Sequence, residues 1–234
     1  MGGRTLALLA VLLLCAMVVH ARREEAFSAK ARIAVVMVAI DFAPAEVTAL
    51  AWDAYCLRHG YDFIALTSPD YEDPGPGIAW WRVKFVHDLL LSGRYDAVMH
   101  VDADTVPSNP AISVEDWMDT HGSRQTACWL SRDVDDSQRR KHYAFTSINF
   151  GVFIMKADRF CIQLLRRMWR ERYERTEWPR EQGCLEDLLE EVHARDPALF
   201  AEKVHVAEYG TMQHFDPEQA FRLGSWVFHA AGWH

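Results

Sequence analysis

The stretch Val98-Met99-His100-Val101-Asp102-Ala103-Asp104 decides how this chain is read. Its first four residues are apolar or weakly polar, as in a strand buried on both faces, and two carboxylates one residue apart follow as that strand leaves the core. Ligands of open α/β sheets gather at the carboxyl ends of strands, so acids at this point stand on a binding edge. Two carboxylates so spaced can converge on one divalent cation, while Ala103 keeps the turn between them slim. Hard oxygen ligands suit Mn2+ or Mg2+, and such an ion bridges a diphosphate and neutralises the charge that grows on it as it leaves. An Asp-x-Asp taken alone is weak, because most such triplets are solvated loop acids. Its weight comes from the strand before it.

Toward the N-terminus, residues 32–40 are a nearly unbroken β-branched and apolar run, which predicts the first core strand. Pro44 then opens a helix whose Val47, Leu50, Ala51, Ala54 and Leu57 recur at helical spacing and are expected to face inward, with Gly60 placed to end it. Residues 61–67 form the next strand. Strand, helix, strand is a βαβ unit, and such units build parallel sheets. Residues 68–77 are a loop by their prolines, glycines and acids. A helix over 80–91, with Trp81, Phe85, Val86, Leu89 and Leu90 on its apolar face, leads into the strand that ends at Asp102.

Beyond the acid pair, residues 131–141 are dense in charge, and Asp133, Asp135 and Asp136 read as solvated loop acids. Residues 147–155 return to strand pattern. A helix follows with Cys161, Leu164, Leu165, Met168 and Trp169 on one face, and another begins near Pro179 and carries Cys184, Leu185, Leu188, Leu189 and Val192 inward. Residues 203–207 and 225–229 are short last strands. The whole predicts an α/β fold, a Rossmann-like, mostly parallel sheet flanked by helices in a single domain over 31–234.

Residues 1–30 precede that domain. Arg4, an apolar run over 6–19, then Arg22 and Arg23 predict a signal-anchor, with a cleaved signal peptide as the alternative. Either delivers the domain to the secretory lumen. The formal charge of −8 excludes the broad cationic surface of a nucleic-acid binder. Of five cysteines, Cys56, Cys128, Cys161 and Cys184 lie in the folded part without CxxC or Cys/His spacing, and are expected as buried thiols on helix faces. The two asparagines, Asn109 and Asn149, open no glycosylation sequon.

From about residue 79 onward the chain resembles the retaining glycosyltransferases of GT-A fold that include yeast α-mannosyl- and galactosyltransferases and plant xyloglucan xylosyltransferases. The resemblance rests on Trp81-x-x-Lys84, Val101-Asp102-Ala103-Asp104, Asn109-Pro110, the run Ile148-Asn149-Phe150-Gly151-Val152-Phe153-Ile154, Trp178-Pro179 with Glu181-Gln182, and His229-Ala230-Ala231-Gly232, in that order. It implies a GT-A-like fold and a donor that is a UDP- or GDP-sugar. A glycan or glycoprotein would be the acceptor, Mn2+ or Mg2+ the cofactor, and a Golgi or other secretory membrane the location.

It also implies residue roles. Asp102, Asp104 and His229 would hold the metal. Lys84, Asp102, Ala103, Asp104, Asn149, Gly151 and Gly232 would shape the donor site, and Glu181 and Gln182 would steady an oxocarbenium-like centre. Where the family more often has Asp, this chain has Glu181.

Each residue has a plainer reading. Lys84 pairs with Asp88 one turn on; Asn149 is a turn or edge residue; Gly151 marks a bulge; Glu181 and Gln182 complement a helix N-terminus; His229 merely ends a strand. Two other functions fit part of the pattern. Residues 98–106 match the opening motif of haloacid-dehalogenase-type phosphatases, with Asp102 as nucleophile and Asp104 as acid/base; such proteins carry that motif on their first strand and a later Gly-Asp-x-x-x-Asp, which is lacking here. A non-catalytic lumenal binding domain is the third reading.

Overall fold

The computed structural model describes residues 31–68, 77–133, 147–175 and 180–230. The N-terminal apolar segment, most of the Pro-rich loop, Asp135, Asp136, Trp178-Pro179 and Gly232 lie outside the described residues. Among the described residues no helix is long and apolar enough to cross a membrane.

The βαβ unit forms as its pattern demands. Strand β1 (Ile33–Val38) is followed by helix α1 (Ala45–His59), which ends where Gly60 takes the left-handed conformation at φ 71°, and then by β2 (Asp62–Leu66), parallel to β1. Helix α2 (Ala79–Leu91) leads to β3 (Ala97–Asp102), which lies parallel to β1 on its other side with Val38 opposite Asp102. A three-residue strand β4 (Thr105–Pro107) and a short helix α3 (Val114–Thr120), capped by the Ser113 side chain on the Asp116 amide, lead to β5 (Cys128–Arg132). Then come β6 (Ile148–Lys156), α4 (Arg159–Glu171), α5 (Arg180–Arg195), α6 (Pro197–Lys203) and β7 (Val204–Ala207). The chain continues through β8 (Gln213–His214), α7 (Pro217–Leu223) and β9 (Val227–His229).

Six strands make one sheet in the order β2-β1-β3-β6-β5-β7, and β4-β9-β8 make a second. The fold is α/β and GT-A-like, with the parallel half β2-β1-β3 read from the sequence. The other half is mixed, because β6 runs antiparallel between β3 and β5 while β7 is parallel to β5. Helices α2, α4 and α5 cover one face, where Trp80, Val83, Val86, Leu165, Met168, Cys184, Leu185 and Leu188 pack against Val98, Leu130 and Phe153.

Strand β5 escaped the sequence reading. Its Cys128, Trp129, Leu130 and Ser131 are buried, and Ser131 and Arg132, expected in a solvated loop, belong to it. The four cysteines are free and buried as expected, although Cys128 lies on this strand and not on a helix.

Helix α1 corrects a second expectation. It buries Ala45, Trp52, Tyr55 and Cys56, while Val47, Leu50 and Leu57 are 72%, 71% and 82% exposed. Both sides of this helix are apolar, so spacing did not choose between them. The aromatics did: each buries more area than an aliphatic side chain and brings a polar handle. The Trp52 indole N–H donates to the Thr105 carbonyl at 3.0 Å, and the Tyr55 hydroxyl donates to the Ile112 carbonyl at 2.9 Å.

Candidate metal centre

Asp102 ends β3 and Asp104 precedes β4, so the acid pair occupies the step between two sheets. That step is pinned from three directions. Thr48 of α1 donates to the Ala103 carbonyl at 2.6 Å, the Thr105 hydroxyl donates to the Asp102 carbonyl at 2.6 Å, and the Ala230 amide donates to the Asp104 carbonyl at 2.9 Å. Ala103 thus serves through its backbone. The antiparallel register of β4 with β9 sets Thr105 opposite His229, which brings this far-off histidine beside the acids.

One ligand atom from each of Asp102, Asp104 and His229 lies within 4.8 Å of the others. His229 Nε2 is 3.2 Å from Asp104 Oδ1 and 3.7 Å from Asp102 Oδ2. Two carboxylates and a ring nitrogen so close together in a half-buried place are a donor set that fits a divalent ion.

Gly151 makes the convergence possible. A Cβ at this position would lie 2.5 Å from His229 Cε1, 2.7 Å from Asp102 Oδ2 and 2.9 Å from Asn149 Oδ1, all far inside van der Waals contact. The sequence offered a bulge as the plainer reading of this glycine, and Gly151 does lie in the irregular stretch of β6. The β5–β6 register shifts between Leu130 and Ser131, and Gly151 in the facing stretch of β6 brings its backbone against Asp102 and His229.

Helix α5 holds that irregular segment. Gln182 Oε1 accepts from the Phe150 amide at 3.1 Å, and the buried Glu186 accepts from the Ile148 amide at 2.9 Å. Glu181 is buried and faces Arg82, its Oε1 3.9 Å from Arg82 Nε. The two residues that the resemblance sets at the reacting sugar thus contact Arg82 and β6.

Arg82 is the cation that the sequence reading missed. Its Nη2 lies 3.0 Å from Asp102 Oδ1 and its Nη1 donates to the Phe150 carbonyl at 2.8 Å. Lys84, which the resemblance sets toward the donor diphosphate, pairs with Asp88 on α2. Two residues along a helix turn a side chain by about 200°, so Arg82 and Lys84 leave α2 in different directions. Arg82 was visible one residue inside the Trp81-x-x-Lys84 motif, but only packing shows which basic residue turns to the sheet.

The electrostatics follow from burial and this one guanidinium. Burial raises the Asp102 and Glu181 carboxyls above the usual range, and Arg82 opposes the rise at both. Burial pulls Arg82 down, but Asp102 and then Glu181 outweigh it and hold it above the ordinary value. A divalent cation at the three donor atoms acts on Asp102 in the same direction as Arg82. Beneath them, His100 is fully buried against Phe153, and burial, then Arg82, depresses it well below the usual imidazole range.

Asn149 and Gln213 link the Gly151 amide to His229. Asn149 Oδ1 accepts from the Gly151 amide at 2.8 Å and from Gln213 Nε2 at 2.9 Å, and Gln213 Oε1 lies 2.9 Å from His229 Nδ1. No local pattern marks Gln213; it reaches the site through the parallel register of β8 with β9.

No protein-family model matches the chain, and no curated protein matches it. Among solved structures the chain is similar to the crystal structure of a glycosyltransferase involved in the glycosylation of the major capsid of PBCV-1. The TM-score is 0.61 at 15% identity, over 86% of this chain and 93% of that chain. At that identity the likeness shows a glycosyltransferase fold, and chemistry must be argued from the site.

Proposed function

We propose that the chain is a metal-dependent glycosyltransferase that moves a hexose or pentose from a UDP- or GDP-sugar to a glycan or glycoconjugate. It acts with retention, and its domain over 31–234 works in the lumen of the Golgi or a related compartment behind the N-terminal anchor. The observation that carries the reading is the convergence of Asp102, Asp104 and His229 at the carboxyl end of β3, in a fold of this class. Retention, the sugar class and the location rest on the resemblance to the yeast and plant enzymes and on the N-terminal sequence.

Asp102, Asp104 and His229 hold the cation, which when bound supplies positive charge to the departing diphosphate. The remaining work belongs to the chain's own residues. Arg82 fixes the Asp102 carboxylate and adds a second positive charge behind it. Glu181 balances Arg82, and Gln182 with Glu186 holds the strand segment that lets Gly151 underlie the sugar. Such pre-set charge needs no reorganisation as the bond to the donor sugar breaks. The phosphatase alternative asks Asp102 for an available nucleophilic oxygen, whereas Oδ1 is bound to Arg82 and Oδ2 is turned to His229.

The test is a donor-hydrolysis screen with Mn2+, using UDP-galactose, UDP-xylose and GDP-mannose beside p-nitrophenyl phosphate. Release of nucleoside diphosphate from one donor, abolished in a folded Asp104→Ala variant, is the expected result. Full turnover in that variant, or phosphate release from the phenyl ester alone, overturns the proposal.

A further inference from the structure

We propose that Gln213 is a positioning residue that holds the His229 ring in the one neutral tautomer able to ligate the metal, taking its reference from the Gly151 backbone amide. The inference rests on the metal-site reading above.

The hydrogen-bond sense can be followed from one fixed point. A backbone amide only donates, so the Asn149 atom 2.8 Å from Gly151 N is the side-chain oxygen. That same oxygen lies 2.9 Å from the end of Gln213 and can only accept, so the Gln213 atom is Nε2. The other end of the Gln213 amide is then Oε1, which faces His229 Nδ1 at 2.9 Å and also only accepts. His229 Nδ1 therefore carries a proton, and the neutral ring presents a bare electron pair at Nε2.

This outcome is contested by the site itself. Nε2 faces Asp104 Oδ1 at 3.2 Å and Asp102 Oδ2 at 3.7 Å, and two carboxylates attract an N–H at that position. Left alone, the neutral ring would put its proton on Nε2, where it blocks the ligand atom. His229 and Gln213 are buried, at 3% and 0% exposure, so solvent does not supply an alternative acceptor at Nδ1. The Gln213 carbonyl tips the balance, and its own orientation is fixed by Asn149 and the Gly151 amide. Metal-ligating histidines elsewhere are oriented through their second nitrogen in the same way, usually with a carboxylate or a backbone carbonyl as acceptor. Here the acceptor is a neutral amide, which adds no further negative charge beneath an acid pair.

The experiment reads the tautomer directly. Long-range proton–nitrogen correlation spectra of the metal-free, nitrogen-15-labelled protein are recorded at a pH where the ring is neutral, with His229 assigned by the loss of its signals in His229→Gln. Mn2+ affinity is measured alongside by calorimetry. Wild type is expected to show the Nδ1–H pattern. Gln213→Leu is expected to switch to Nε2–H and to bind Mn2+ about ten-fold or more weakly. Gln213→Glu keeps an acceptor at Nδ1, and is expected to retain the Nδ1–H pattern and bind Mn2+ at least about ten-fold more tightly than Gln213→Leu. A Leu variant that keeps the wild-type tautomer overturns the proposal. So does an equal loss of affinity in both variants, since a packing effect alone produces that. Neither readout uses sugar transfer, so a wild-type protein inactive on every donor would sink the glycosyltransferase reading while leaving this measurement to stand or fall by itself.

Discussion

Replacing Gly151 by Ala adds one methyl group where the fold has no room for it. The new carbon would sit 2.5 Å from His229 Cε1 and 2.7 Å from Asp102 Oδ2, about 0.9 and 0.7 Å inside the closest ordinary contact. Neither neighbour yields easily, because His229 is held by Gln213 and Asp102 by Arg82 at 3.0 Å. Overpacking of this kind costs about 2 kcal/mol, which for a domain of this size lowers the melting temperature by about 4–8 °C. The metal consequence is larger, since the displaced atoms belong to two of the three candidate ligand residues. A shift approaching 1 Å in such a cluster should raise the Mn2+ dissociation constant by about 100-fold. Thermal unfolding with and without Mn2+ measures both effects in one series. At a concentration 100 times the wild-type dissociation constant, Mn2+ stabilises wild type by about 2.7 kcal/mol and the variant by only about 0.4 kcal/mol. The Mn2+-induced rise in melting temperature should therefore shrink from about 5–11 °C to about 1–2 °C. An Ala variant that melts within about 1 °C of wild type and keeps the full Mn2+ increment would refute the claim that Gly151 makes room for the ligands.

Arg82→Met leaves the Asp102 and Glu181 carboxylates facing each other without their shared cation, and should destabilise the metal-free protein by about 3 kcal/mol in urea; adding Glu181→Gln should recover part of that loss, and no recovery would argue that Arg82 acts by packing alone. His100 is depressed well below 6.5 in the fold, so the unfolded chain binds a proton there that the native state does not. Stability should accordingly be retained above about pH 6.5 and fall below it with a slope of about 1.4 kcal/mol per pH unit from this group; urea midpoints from pH 7.5 to 5 should show a gentler fall in His100→Phe than in wild type. Leu57→Lys on the outer face of α1 should change stability by no more than about 0.5 kcal/mol, and a loss of core size would contradict the face that the fold exposes.

Helix α1 shows where sequence periodicity stops. Its span, its start after Pro44 and its end at Gly60 were legible because caps and turns act within a few residues. Its buried face was not, because Trp52 and Tyr55 find their acceptors at Thr105 and Ile112, on segments that only the folded chain brings near. Arg82 was overlooked beside Lys84 for the same reason: both are basic residues at the start of α2, and the helix alone gives no direction to the sheet. Strand β5 was hidden by its shortness and by the charged run that follows it. Glu181 and Gln182 were placed at a helix start correctly, but whether their side chains meet a substrate or a strand depends on where that helix lands.

By itself the sequence determined that a buried strand ends in Asp102-Ala103-Asp104, after a parallel βαβ unit, since hydrophobic runs, helix caps and turn residues are local signals. Tertiary structure alone decided what surrounds that pair. The register of β4 with β9 delivers His229, that of β8 with β9 delivers Gln213, and the irregular edge of β6 presses Gly151 against Asp102 and His229. Register arises from pairing between distant segments, where a slip of one residue would turn each of these side chains to the opposite face.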